Sequence, residues 1–200
     1  LQGIAENFSA QGVPVFMADV KGDLAGIAMP GSPTFKNADR LEARAKEIGM
    51  ADYSYADNPV IYWDLYGSQG HPIRTTVSEM GPLLLARLMD LNETQEGVLN
   101  IAFRYADEEG LLLLDLGDLQ AMLSFCAENA DMLCAKYGNV TKASVGTIQR
   151  QLLSLDSQGG AAFFGEPALD IEDFLSVDDK GRGYISVLAA DRLMQSPKLY

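Results

Sequence analysis

A short apolar run, Val13-Pro14-Val15-Phe16-Met17-Ala18, is bounded by Gly12 on one side and Asp19 on the other. A continuous run of this length between turn formers is the pattern of a strand buried on both faces, as in parallel sheets covered by helices. Pro14 falls near its start, where a missing N–H is tolerated. Just before it, Ile4, Ala5 and Phe8 share one helical face, and Gln11-Gly12 provides a stop. A helix, a tight glycine turn and a buried strand make half of an α/β unit, so an α/β fold is expected.

The pattern then alternates. Residues 20–37, rich in Gly and Pro, read as a long loop, and Ala38 to Ile48 as an exposed helix of mixed charge. Asn58-Pro59 marks a break before a second strand candidate, Val60-Ile61-Tyr62-Trp63. Gly67 to Pro72 reads as a hairpin turn, with Ile73 to Val77 as a short return strand. From Ser78 the character is helical. Asn92 is a cap for Val98, Ile101, Ala102 and Tyr105. Asp115 is a cap for Leu119, Met122, Leu123 and Cys126, in a helix closed by Gly138. A further helix, about Lys142 to Asp156, turns Val145, Ile148, Leu152 and Leu155 inward. An acidic stretch, Glu166 to Asp179, and a turn, Lys180 to Gly183, lead to a third strand, Tyr184 to Ala189. The expected organisation is an α/β segment over residues 1–77, a helical insertion over 78–165, and a return to α/β over 166–200.

Composition limits the function classes. The 200 residues carry 15 Lys and Arg against 28 Asp and Glu, a net charge of −13. A free-standing nucleic-acid binder needs a basic footprint that this balance does not give, although local basic contacts within an assembly remain compatible. Two cysteines, Cys126 and Cys134, are too few for a disulfide scaffold. On one helix they would stand about 12 Å apart, beyond disulfide reach. No apolar run approaches the roughly 18 residues of a membrane span, and no signal peptide opens the chain. A cytoplasmic protein is expected. The opening Leu1, without an initiator Met, and the close at Tyr200 suggest a piece of a longer chain.

The sharpest chemical signal is VFMADVKGDL, in which Asp19, Lys21, Gly22 and Asp23 follow the carboxyl end of the first strand. Ligands of open α/β sheets bind outside such strand ends. Two carboxylates and an ammonium there suit Mg²⁺, a water or a phosphate; the plainer alternative is a polar loop whose turn Asp19 caps. Two other apolar runs end in an acid, at Asp115 and Asp191, and both read as structural. The first opens a helix, and Arg192 follows the second. The chain contains no GxxxxGK[ST]. His71 is the only histidine, which excludes a multi-histidine metal site. Arg182, between two glycines, is either a mobile cation or a hairpin-turn residue.

Taken together, LQGIAENFSAQGVPVFMADVKGDLAGIA, RTTVSEMGPLLLARLMDLNETQEGVLNIAFRYAD, GLLLLDLGDLQAML, YGNVTKASVGTIQRQLLSLDSQGG, FFGEPALDIEDF and GYISVLAADRLMQSPKLY resemble the middle of a HerA/FtsK-type P-loop ATPase. More narrowly, they resemble the YjgR-like branch of HerA-like helicases. The resemblance covers essentially the whole chain. It implies a RecA-like core with a helical insertion, lying between a Walker A loop upstream and a Walker B strand downstream. It also implies ATP with Mg²⁺, a ring-shaped homo-oligomer such as a hexamer, and translocation on double-stranded DNA. The family's Asp-x-x-Gly-Glu pattern stands here as Asp19, Gly22 and Asp23, with Asp in place of Glu. By resemblance Asp19 positions water or metal near the γ-phosphate, Asp23 shares the catalytic role, and Lys21 and Gly22 contact nucleotide. The 200 residues alone are expected to be inactive and prone to self-association through unpaired sheet edges. The competing expectation is a non-catalytic interaction module built on the helical block. A haloacid-dehalogenase-like phosphatase fits less well, because Lys21 stands where its second Asp belongs.

Overall fold

The computed structural model describes residues 1–196, 198 and 199. In chain order the elements are α1 (Gln2–Ala10), β1 (Val15–Asp19), α2 (Ala38–Glu47), β2 (Val60–Asp64), β3 (His71–Pro72), α3 (Val77–Leu88), α4 (Glu93–Glu108), α5 (Leu116–Glu128), α6 (Ala130–Tyr137), α7 (Lys142–Ser157), α8 (Gly160–Phe163) and β4 (Ile185–Ala189). Short 3₁₀ turns cover Ile171–Leu175 and Leu193–Gln195. The fold is α/β, with a parallel sheet and a helical part. The chain forms two compact units, one of Leu1–Trp63 with Asp170–Asp191, the other of Asp64–Leu169 with Arg192–Tyr200.

In the first unit β4 lies between β1 and β2 and runs parallel to both, Ile185 standing opposite Val15 on one side and Val60 on the other. Side chains alternate across a strand. One face of this sheet therefore gathers Ile185, Val187, Val15, Met17, Val60 and Tyr62, which pack with Ala5 of α1 and with Leu24 and Ile27 of the following loop. Phe174, from the 3₁₀ turn, sets its ring edge-on to Phe16 and Trp63, each at 5.1 Å between centroids.

The second unit is built from helices whose apolar stripes converge on Leu85, Met89, Leu99, Leu119, Leu123, Ile148 and Leu155, all fully buried. Asn92 and Asp115 cap α4 and α5 as their positions suggest, each in a reciprocal capping box. The inward stripe of α7 is buried in full, at Val145, Ile148, Leu152 and Leu155.

Four local expectations need correction. β1 is not buried on both faces: Val15 and Met17 face the core, while Phe16 between them is 51% exposed. The return strand expected over Ile73 to Val77 is absent; only His71–Pro72 is strand. Thr76 instead caps α3, its hydroxyl accepting from Glu79 N–H while the Glu79 carboxylate accepts from Thr76 N–H, so Val77 enters a helix. That helix kinks at Gly81, whose φ of 72° and ψ of 164° are open to glycine, just before Pro82. The helix expected from Asp115 to Gly138 is two, divided at Asn129, whose side-chain amide donates to the Phe125 carbonyl. Cys126 and Cys134 therefore sit on different helices, both as free thiols, and burial pushes the Cys126 thiol up to about 11.

Candidate functional site

β1 ends at Asp19, and the chain then turns sharply through Gly22, whose φ of 72° is left-handed. Asp19 is 6% exposed. Its Oδ1 accepts from the N–H groups of Lys21 (3.2 Å), Gly22 (2.7 Å) and Asp23 (3.2 Å), and its Oδ2 from Leu24 N–H (3.0 Å). The side chain thus shapes the whole loop. The main chain fastens the same residue to the central strand, because the Asp19 carbonyl accepts from Ala190 N–H at 2.9 Å.

Beside this loop lies an open depression of about 600 Å³, lined by Leu1, Gln2 and Gly3 at the start of α1 and by Asp19, Lys21 and Asp23. The Gln2 amide donates to the Asp23 carbonyl at 3.1 Å, tying the start of α1 to the loop. Lys21 and Asp23 are exposed, and among the described residues neither the Lys21 ammonium nor the Asp23 carboxylate has a partner. The two groups are free to meet a ligand, whereas Asp19 is committed to the backbone. Among the described residues, no group of three or more His, Cys, Asp or Glu is arranged to hold a metal ion.

A second strand ends in the same way, which the sequence reading did not single out. Asp64, at the end of β2 and 3% exposed, accepts from Tyr66 N–H (3.0 Å), Ser68 N–H (2.7 Å), the Ser68 hydroxyl (2.8 Å) and Gln69 N–H (2.9 Å). Burial alone would raise its carboxyl pKa, but these hydrogen bonds outweigh it and hold the group below the usual range. An apolar run ending in Asp before Ser and Gly was the available signal. Arg192 lies over the Tyr66 ring at 4.4 Å, a cation–π contact also invisible in the sequence.

The remaining candidates fall to structural roles. Asp115 is the α5 cap. Asp191 is exposed just after β4. Arg182 is pinned rather than mobile: its Nε donates to Asp178 at 2.9 Å and its Nη1 to the Asp57 carbonyl at 2.8 Å. Burial pushes the Asp178 carboxyl up, but the Arg182 N–H, its guanidinium and the Lys180 N–H pull harder and leave it lowered. His71 is exposed in β3. No described helix is long and apolar enough to cross a membrane.

No curated protein matches the chain. The family model for the helicase HerA-like C-terminal domain matches residues 1–200, its full length. This chain belongs to the HerA-like C-terminal family of helicases.

Proposed function

We propose that the intact protein is an ATP-hydrolysing motor of the HerA type, working as a ring-shaped homo-oligomer, a hexamer, on double-stranded DNA. The match of all 200 residues to the family carries this reading. The depression at the end of β1 supports it, since ligands of α/β sheets bind outside strand ends.

Within this chain the roles divide by exposure. Lys21, an unpartnered ammonium at the mouth, fits a polyphosphate, and the unpartnered Asp23 fits its Mg²⁺. Mg-ATP supplies the phosphoryl group to be cleaved. Asp19 acts through the loop it holds: its carboxylate fixes the Lys21–Leu24 backbone, and with it the place from which Lys21 and Asp23 reach the ligand. Phosphoryl transfer depends on positioning and charge stabilisation, so a loop fixed before the ligand arrives lowers the barrier.

The test is steady-state ATP hydrolysis by the intact protein with Lys21→Ala, Asp23→Asn and Asp19→Asn. Turnover is expected to fall in all three, with KM rising most for Lys21→Ala. Wild-type rates in all three would remove this loop from the mechanism. A protein that neither binds nor hydrolyses Mg-ATP would overturn the motor reading and leave a non-catalytic interaction module built on the helical unit.

A further inference from the structure

Two exposed apolar surfaces of this chain carry opposite charge. The second unit has an open groove of about 640 Å³ along α3. Its floor is Met80, Leu88 and Phe163, half-buried against the helical core, with Leu84 standing 50% exposed beside them. Arg87, Lys198 and a single acid, Asp90, supply the charge. The exposed Arg87 guanidinium makes no hydrogen bond or ion pair among the described residues, and Lys198 Nζ meets only the neutral Gln151 Oε1, at 3.0 Å.

The first unit carries the complement, the 3₁₀ turn Ile171–Leu175, within the stretch Glu166–Asp179 that has no Lys or Arg. Ile171 and Leu175 are 65% and 66% exposed. The Glu172 and Asp173 carboxylates between them have no partner among the described residues. The turn is nonetheless rigidly held. Phe174 packs edge-on to Phe16 and Trp63, and the Asp170 carboxylate caps the turn by accepting from Glu172 N–H at 2.9 Å. A segment fixed in advance loses little conformational freedom when it docks.

Charge decides how two copies can use these surfaces. Groove against groove sets Arg87 and Lys198 against their own kind, and turn against turn does the same with Glu172 and Asp173. Only turn into groove joins apolar to apolar and acid to base. We propose that the Ile171–Leu175 turn of one copy docks in the α3 groove of the next, a contact that rests on the homo-oligomer proposed above. Ile171 and Leu175 lie on Leu84 and its neighbours, and Glu172 and Asp173 face Arg87 and Lys198. Such a contact is heterologous: each copy gives its turn to one neighbour and its groove to the other, the arrangement that closes into rings.

The test is sedimentation velocity on the intact protein with Mg-ATP, across a range of concentrations. Leu84→Glu spoils the groove and Ile171→Glu the turn, both at exposed positions. Each is expected to raise the concentration for half-assembly at least tenfold. Mixed in equal amounts, the two variants should form dimers and no larger species, because the sound turn of one fits the sound groove of the other and no second sound contact remains. Arg87→Glu, and Glu172→Lys with Asp173→Lys, should each weaken assembly severalfold, and all three changes in one chain should restore it. A ring that survives both Leu84→Glu and Ile171→Glu overturns this contact and leaves the ring reading standing. Loss of the ring in Leu84→Glu alone, or a mixture that stays monomeric, gives the groove another occupant and also overturns it. A wild-type protein that is monomeric throughout removes the ring reading and this contact with it.

Discussion

Ser9 and Gly183 exchange hydrogen bonds in both directions: the Ser9 hydroxyl donates to the Gly183 carbonyl at 2.6 Å, and Gly183 N–H donates to the Ser9 carbonyl at 2.9 Å. Ser9 is buried near the end of α1, and Gly183 precedes β4 by two residues. A side chain at residue 183 would collide with the backbone of Val13 and Pro14, which cannot move aside as a flexible side chain would. Gly183→Ala is therefore expected to cost at least about 3 kcal/mol. Ser9→Ala, which only leaves an acceptor unpaired, is expected to cost about 1–2 kcal/mol. Urea denaturation of both variants measures the difference.

Asp19 makes a separate prediction. Asparagine at this position keeps one acceptor oxygen, so either Leu24 N–H or the group from Lys21, Gly22 and Asp23 faces an amide that donates. Asp19→Asn is expected to destabilise by about 1–3 kcal/mol and to speed amide exchange at residues 21–24. Protection at those amides equal to wild type would refute the loop-holding role.

Glu108 forms a small charged hub on the helical unit. Its carboxylate accepts from Lys136 Nζ (2.7 Å), the Tyr137 hydroxyl (2.6 Å) and Arg104 Nε (2.6 Å). These partners, Lys136 foremost, hold its pKa down to about 2 from an ordinary 4.5. A folded pKa below the unfolded one stabilises above the unfolded value, and the gain is lost as pH falls through about 4.5 towards 2. Glu108→Gln should flatten that part of the acid-unfolding curve, and carboxyl NMR should place the Glu108 midpoint near 2.

Leu119 is fully buried among the helices of the second unit. Leu119→Ala is expected to cost about 2–5 kcal/mol, read as a lower denaturation midpoint. Thr76→Ala removes only the α3 cap and should cost about 1 kcal/mol.

The parts legible in the sequence are those set by local pattern. The Asn92 and Asp115 caps, the α7 stripe and the three parallel strands each carry their signal within a dozen residues. β-branched Thr75, Thr76 and Val77 favour a strand locally, while the contact that decides the structure is the one between Thr76 and Glu79. The division at Asn129 follows no glycine or proline. The turn after β1 is legible from Asp19 and Gly22, but how Asp19 is occupied is not, since four backbone N–H groups have no sequence signature.

The order β1-β4-β2 sets a schedule for synthesis on the ribosome. Val15–Asp19 and Val60–Asp64 emerge early, yet neither has a partner among the three until Ile185–Ala189 arrives to fill the gap between them. Meanwhile the helices of residues 77–163 can condense through contacts close in the chain. The nascent protein thus carries two waiting apolar strands past a finished helical body, and a ribosome stalled before residue 185 would hold them open to aggregation.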